Sequence, residues 1–109
     1  MAGSASDRRR IPRTVISDTE LSVLAFPMPV RLVDISLDGV LLETAHAVDV
    51  GQRGTLRFNF AGVPFSADVR VERIDRTRGR NGTERFAIGA VFVSLSRNDQ
   101  RVIERFAVQ

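Results

Sequence analysis

The chain has 109 residues, 43% of them apolar and 27% charged, which suits one globular domain with a modest core and leaves no room for a second. It has no cysteine, which excludes disulfides, thiolate metal sites and cysteine catalysis. The net charge is +3, and neither an apolar run long enough to span a membrane nor a leader-like segment is seen, so we expect a cytoplasmic protein without membrane insertion.

The excess positive charge lies at the N-terminus. Residues 1–7 are small and polar and are predicted to be a disordered tail, because they can bury almost no apolar surface. Residues 8–14 form an arm stiffened by Pro12. Its arginines are Arg8, Arg9, Arg10 and Arg13. Guanidinium groups donate paired hydrogen bonds to phosphates and guanine edges, so the arm is a candidate anion site, with a solvated basic tail as the alternative.

The central part of the chain, residues 19–95, has the patterns of antiparallel strands. Residues 63–72 alternate apolar and polar side chains in period two, and residues 55–60 do the same, which predicts two half-buried strands. The Asn81-Gly82 pair predicts a hairpin turn. Successive strands joined by short turns predict an antiparallel barrel.

Two short apolar runs, residues 21–26 and 30–35, are separated by Pro27 and Pro29, which predict a loop or an edge kink between them. The last apolar run, residues 86–93, is apolar on both faces, so we expect its outer face to be covered by the C-terminal helix.

That helix is predicted over residues 96–108. Ser96 and Asp99 have the spacing of a capping box, with aspartate in place of glutamate. Apolar residues recur behind them at helical spacing and provide a buried face. These residues are Val102, Ile103, Phe106 and Ala107.

A polar corner falls between two of the predicted strands, in the segment Asp34-Ile35-Ser36-Leu37-Asp38-Gly39. Asp34 offers an acceptor, Ser36 a hydroxyl group, and Gly39 a place where backbone can approach closely. Such a segment either contacts a ligand or is an Asx-type turn that only organises the corner.

Together the two segments resemble a known family. RxxxR from Arg9 to Arg13 and DxSxxG from Asp34 to Gly39 are similar to the two motifs of PilZ domains, which bind cyclic di-GMP. The resemblance extends from Arg8 to about Ala107. It implies a single PilZ domain over residues 8–109, with a six-stranded antiparallel PilZ-type β-barrel, one C-terminal α-helix and a flexible N-terminal arginine arm.

The resemblance also implies how a ligand is held. Arg9 and Arg13 would grip phosphate and the O6 and N7 atoms of guanine. Asp34 would accept from guanine N1–H and N2–H₂, Ser36 would add a hydroxyl contact, and Gly39 would keep a side chain out of the ligand's way. The implied ligand-binding set is Arg8, Arg9, Arg10, Arg13, Asp34, Ser36 and Gly39.

Further arginines bear on ligand stoichiometry. In PilZ domains an arginine at the position of Arg8 accompanies capture of an intercalated ligand dimer, which predicts two ligands per domain. Arg10 is a candidate member of the same cluster. Arg73, Arg76 and Arg78 are candidates to contact the far guanine, and the residues alone do not choose among them.

We therefore expect a bacterial cyclic di-GMP receptor or adaptor that orders its arm on binding and signals through an unidentified protein partner. The alternative is a divergent PilZ-like adaptor that binds a protein partner without nucleotide. No cofactor, metal or catalytic site is expected, because nucleophile and phosphate-loop motifs are missing and His46 is the only histidine. Nucleic-acid binding is not expected either, since the seven phenylalanines fall mostly at inward positions.

Overall fold

The computed structural model describes residues 16–24, 26–60, 62–79 and 81–107. These residues form a mostly β structure with one C-terminal helix, which confirms the predicted fold class. Its elements are β1 (Ile16–Val23), β2 (Phe26–Pro29), β3 (Arg31–Ile35), β4 (Gly39–Thr44), β5 (Arg53–Phe60), β6 (Val63–Arg78), β7 (Glu84–Ser94) and α1 (Arg97–Ala107). The tail, the arginine arm and position 108 of the predicted helix lie outside the described residues.

The described strands pair antiparallel in one sheet, in the order β2-β1-β5-β6-β7-β4-β3. The sheet curls into a half-barrel. Its two end strands, β2 and β3, are consecutive in the chain with only Val30 between them, so the two ends of the sheet lie close together. The Val30 N–H continues the β2–β1 pairing by donating to the Thr19 carbonyl at 3.2 Å. The curl gives the sheet an inner, concave face and an outer face.

The segment that contains the two prolines is a short edge strand, where the sequence predicted a loop or an edge kink. β2 pairs with the end of β1, from Pro29 opposite Glu20 to Phe26 opposite Val23. Prolines are tolerated at a sheet edge, and they lack the N–H group that a further strand would need for pairing. The strand count is therefore seven among the described residues, one more than expected.

The core lies on the inner face. The alternation predicted for residues 63–72 is confirmed, since every second side chain from Phe65 to Val71 is buried and those between are exposed. The rings of Phe58 on β5 and Phe65 on β6 stack with centroids 4.7 Å apart. Each fully buried aliphatic or aromatic side chain of this kind contributes about 1.5–3 kcal/mol to stability.

Helix α1 packs on this inner face. Ile103 is 1% exposed and belongs to the same buried cluster as Ile88 and Ala90 of β7. The predicted cap is present, because the Ser96 Oγ accepts a hydrogen bond from the Asp99 N–H at 3.0 Å.

The expectation that the helix covers the outer face of β7 is wrong. On that face Gly89 and Val91 line an open depression, and none of the α1 side chains that the structure describes lines it. Gly89 instead lies beneath the Arg73 side chain, whose Cβ would be 3.7 Å from a Cβ built on the glycine. The outer face of β7 is therefore covered in part by the Arg73 side chain and not by the helix.

Candidate functional site

The predicted polar corner, residues 34–39, is held by its own hydrogen bonds. The Ser36 N–H donates to the Gly39 carbonyl at 2.9 Å, and the Asp38 N–H donates to the Ser36 Oγ at 3.3 Å. The Asp38 carbonyl accepts from the Phe92 N–H of β7 at 3.1 Å. A hydroxyl group both donates and accepts, so Ser36 can organise the turn and still donate its proton to a ligand.

Gly39 is required by the close approach of β4 to β7. A Cβ built at this position would overlap the Ala90 carbonyl oxygen and would lie 3.0 Å from the Val91 Cα. Real side chains do not approach backbone atoms so closely. The sequence predicted clearance for a ligand, and the structure adds a separate requirement from the fold itself.

A β-bulge in β3 turns Asp34 to the outer face. Leu32 and Asp34 are two residues apart but pair with adjacent residues of β4, so Val33 is the extra residue. As a result Leu32 and Ile35, three residues apart, are both buried. Asp34 points to the other side and is half-buried.

A second bulge, in β6, does the same for Arg73. Val71 and Arg73 pair with adjacent residues of β7, so Glu72 is the extra residue. The bulge reverses the alternation established earlier in β6. Ile74 now packs against the core, and Arg73 faces outward opposite Gly89.

The two bulges create one row of side chains across the outer face. The row runs over β3, β4, β7 and β6 and consists of Asp34, Leu41, Gly89 and Arg73. A depression of about 680 Å³, hereafter the outer depression, lies over this row. It is lined by Asp34, Ile35, Ser36, Asp38, Gly39, Val40, Leu41, Glu72, Arg73, Gly89, Ala90 and Val91. Its floor is apolar or glycine, and its charged groups lie at the two ends.

The outer depression brings together the predicted site residues that the structure describes. Asp34, Ser36 and Gly39 all line it. The arm residues Arg8, Arg9, Arg10 and Arg13 lie outside the described part of the chain.

Of the three arginines left open by the sequence, Arg73 lines the outer depression and the other two do not. Arg76 forms an ion pair with Glu84 at 2.9 Å in the β6–β7 hairpin, away from the polar corner. The floor residues Leu41, Gly89 and Val91 were missed. The sequence contains a signal for them. Val71 and Ile74 are apolar and three residues apart in a strand of period two, which indicates a bulge after which the side chains of β6 change face.

A second depression, of about 620 Å³, lies on the other half of the sheet. Its walls include Glu20, Pro27, Arg53, Arg57 and Asp68, and none of the predicted site residues. This leaves the outer depression as the candidate site within the described residues.

Neither a metal site nor a membrane-spanning helix is found in the described part of the chain. It contains no group of three His, Asp or Glu residues able to hold a metal ion. His46 is exposed on the turn after β4, where its backbone N–H donates to the Thr44 Oγ1 at 3.3 Å. Within the same residues, no helix is long and apolar enough to cross a membrane.

Comparison with known proteins identifies the family. The family model for the PilZ domain matches residues 7–109, nearly the whole chain. The chain belongs to the PilZ domain family. A search of curated proteins gives no match.

Solved PilZ structures share the fold. The PilZ domain of YcgR from Escherichia coli, solved with c-di-GMP, is 18% identical with a TM-score of 0.69, and the match covers 88% of this chain and 82% of that one. MrkH of K. pneumonia in its apo state is 18% identical with a TM-score of 0.70, over 88% of this chain and 44% of MrkH.

PlzA of Borreliella burgdorferi, solved in complex with c-di-GMP, is 11% identical with a TM-score of 0.65, over 98% of this chain and 47% of PlzA. The chain therefore spans less than half the length of MrkH and of PlzA. At these identities the likeness concerns the fold of the PilZ domain.

Proposed function

We propose that this PilZ domain is a cyclic di-GMP receptor and that the nucleotide lies in the outer depression. The observation that carries the proposal is that Asp34, Ser36 and Gly39, the three motif positions of the corner, line a single open depression in a chain of this family. Two structures with the same fold, the YcgR PilZ domain and PlzA, contain c-di-GMP.

The proposed chemistry divides between the corner and the arm. The Asp34 carboxylate accepts from N1–H and N2–H₂ of one guanine, a pair of donors that adenine lacks. Arg9 and Arg13 donate to phosphate and to the O6 and N7 edge of guanine. Ser36 donates to the ligand while its oxygen still accepts from the Asp38 N–H. Arg8 supports a second, intercalated ligand molecule.

The binding test is calorimetric titration of cyclic di-GMP, with cyclic di-AMP and GTP as ligand controls. We expect saturable binding of cyclic di-GMP alone, lost in the double variant Arg9→Ala/Arg13→Ala. Asp34→Asn should weaken binding by about 10- to 100-fold, because hydrogen bonds to a charged group contribute about 1.5–3 kcal/mol.

The matched control is Asp68→Asn. It removes the same charge from the second depression, where the Asp68 Oδ1 accepts from the Thr55 hydroxyl at 3.0 Å, and binding should not change. Two ligands per chain would support the role of Arg8. A folded wild-type protein that fails to bind would refute the receptor function and would favour an adaptor that binds a protein partner without nucleotide.

We also propose that the arm changes from disordered to ordered when the ligand binds, and that this change alters contact with a protein partner. The outer depression is open, so an arm that crosses it would cover the nucleotide. The test is to follow the backbone amide signals of residues 8–13 by NMR during titration. Large shifts are expected, and unchanged signals at ligand saturation would contradict the switch.

A further inference from the structure

We propose that Arg73 is a ligand-contacting residue of this site and that it acts through the flat face of its guanidinium group, as the platform for the second guanine. The inference rests on the cyclic di-GMP binding proposed above. It starts from the position of Arg73 at the opposite end of the outer depression from Asp34.

The two residues lie in one row, separated by three steps from β3 to β6. With strands about 4.8 Å apart, their Cα atoms are about 14 Å apart along the sheet. A cyclic dinucleotide whose first guanine is bound by Asp34 extends over Leu41 and Gly89 toward Arg73. The floor between the two ends is apolar or glycine and carries no competing charge.

The Arg73 side chain folds over this floor. A Cβ built on Gly89 would lie 3.7 Å from Arg73 Nη2 and 3.8 Å from its Nε. The guanidinium therefore lies above Gly89, on the side of the outer depression. An alanine methyl group at position 89 would just touch the guanidinium, and a longer side chain would occupy the space in which it lies.

The existing ion pair of Arg73 does not prevent this role. Its Nε is 3.3 Å from the Asp75 Oδ2, and the side chains are 68% and 64% exposed. Exposed pairs of this kind are weak. A ligand can therefore displace it.

The composition of the chain favours an arginine as the stacking group. It contains no tryptophan and no tyrosine, and no phenylalanine among the described residues lines the outer depression. A guanidinium plane stacks on aromatic faces and attracts them through its charge, which an ammonium group cannot reproduce in geometry. Arg73 is the arginine that the described structure offers for this purpose.

The test is titration of cyclic di-GMP into Arg73→Ala, Arg73→Lys and the control Arg76→Ala. Arg76 is a neighbouring exposed arginine of the same strand that does not line the outer depression. We expect both Arg73 variants to bind about tenfold more weakly, the order of magnitude of one base-stacking contact, and Arg76→Ala to bind like the wild type. Circular dichroism of each variant establishes that it is folded.

The outcomes separate the two proposals. Wild-type binding that is unchanged in Arg73→Ala, or kept in full by Arg73→Lys, would overturn the role of the guanidinium plane and leave the receptor function intact. Absence of wild-type binding would overturn both.

A double-mutant cycle adds an independent readout. Asp75→Asn should tighten binding by releasing Arg73, and this gain should vanish in Arg73→Ala/Asp75→Asn. An equal gain with and without Arg73 would indicate a general charge effect and would count against the proposal.

Discussion

A substitution at Gly39 tests whether the glycine is needed for the stability of the fold, for ligand binding, or for both. In Gly39→Ala the new methyl group would overlap the Ala90 carbonyl oxygen and lie 3.0 Å from the Val91 Cα and 3.1 Å from the Ala90 carbonyl carbon. These are backbone atoms of the central part of β7, so no side chain can rotate to make room. The two strands must separate, or the corner must move.

The magnitude follows from the overlap. Carbon atoms in contact lie about 3.5–4.0 Å apart, so β4 must retreat from Val91 by about 0.5–1 Å. Overpacking of this kind costs about 1–3 kcal/mol. The retreat also strains the hydrogen bond between the Phe92 N–H and the Asp38 carbonyl, which contributes about 1 kcal/mol. The sum is about 2–4 kcal/mol, and at about 4–8 °C per kcal/mol a loss of about 3 kcal/mol lowers Tm by about 12–24 °C.

The assay is thermal and urea denaturation of the ligand-free protein, with Gly89→Ala as the matched control. A Cβ on Gly89 meets no atom closer than 3.7 Å, so that variant should stay within about 1 kcal/mol of the wild type. If Gly39→Ala melts within about 2 °C of the wild type, the steric reasoning is wrong. Normal stability together with lost nucleotide binding would instead mean that the glycine serves ligand clearance alone.

Two further predictions concern helix α1. Ser96→Ala removes the acceptor for the Asp99 N–H and should cost about 1 kcal/mol in urea denaturation, whereas Ser96→Asp, which keeps an acceptor, should be nearly neutral; equal losses would argue against the cap. Ile103→Ala should cost about 2–5 kcal/mol because the side chain is 1% exposed within the core, and Ile103→Val only about 0.5–1.5 kcal/mol. A loss below about 1 kcal/mol for Ile103→Ala would mean that the helix does not pack on the inner face.

Local patterns in the sequence predicted the elements that depend on local physics. Period-two alternation identified β6, because each inward residue from Phe65 to Val71 packs on the same core. Ser96 identified the start of α1, because an N-cap satisfies backbone groups within a few residues of itself. In both cases the determining contacts follow directly from residue spacing.

The parts that were missed depend on pairing and packing that residue spacing alone does not reveal. Pro27 and Pro29 interrupt a strand pattern, yet the segment pairs with β1 because an edge strand needs hydrogen bonds on one side only. The placement of α1 was wrong for a related reason. Residues 86–93 are apolar on both faces, and their sequence alone does not say that the outer face contains a glycine beneath the arginine of a neighbouring strand.

The candidate site was predicted only in part: its motif is visible in the sequence, but the orientation of its side chains is not. DxSxxG was visible as a motif, but the outward orientation of Asp34 depends on the extra residue Val33, and that of Arg73 on the extra residue Glu72. An extra residue reverses the face of every later residue in its strand, so the motif residues share a surface with Arg73 only because each strand contains a bulge.

The bulge in β6 is itself held from the side opposite to the site. The Gly51 N–H donates to the Val71 carbonyl at 2.7 Å, and the Val71 N–H donates to the Gln52 carbonyl at 2.9 Å. The loop before β5 thus fixes β6 one residue before Glu72, while β7 pairs with Arg73 just after it. The orientation of Arg73 is therefore determined by backbone contacts on two neighbouring segments, neither of which needs to touch a nucleotide. The outward direction of the Arg73 side chain is thus set by the sheet itself, so in the proposed receptor the sheet supplies a fixed wall of the site, independent of the arm.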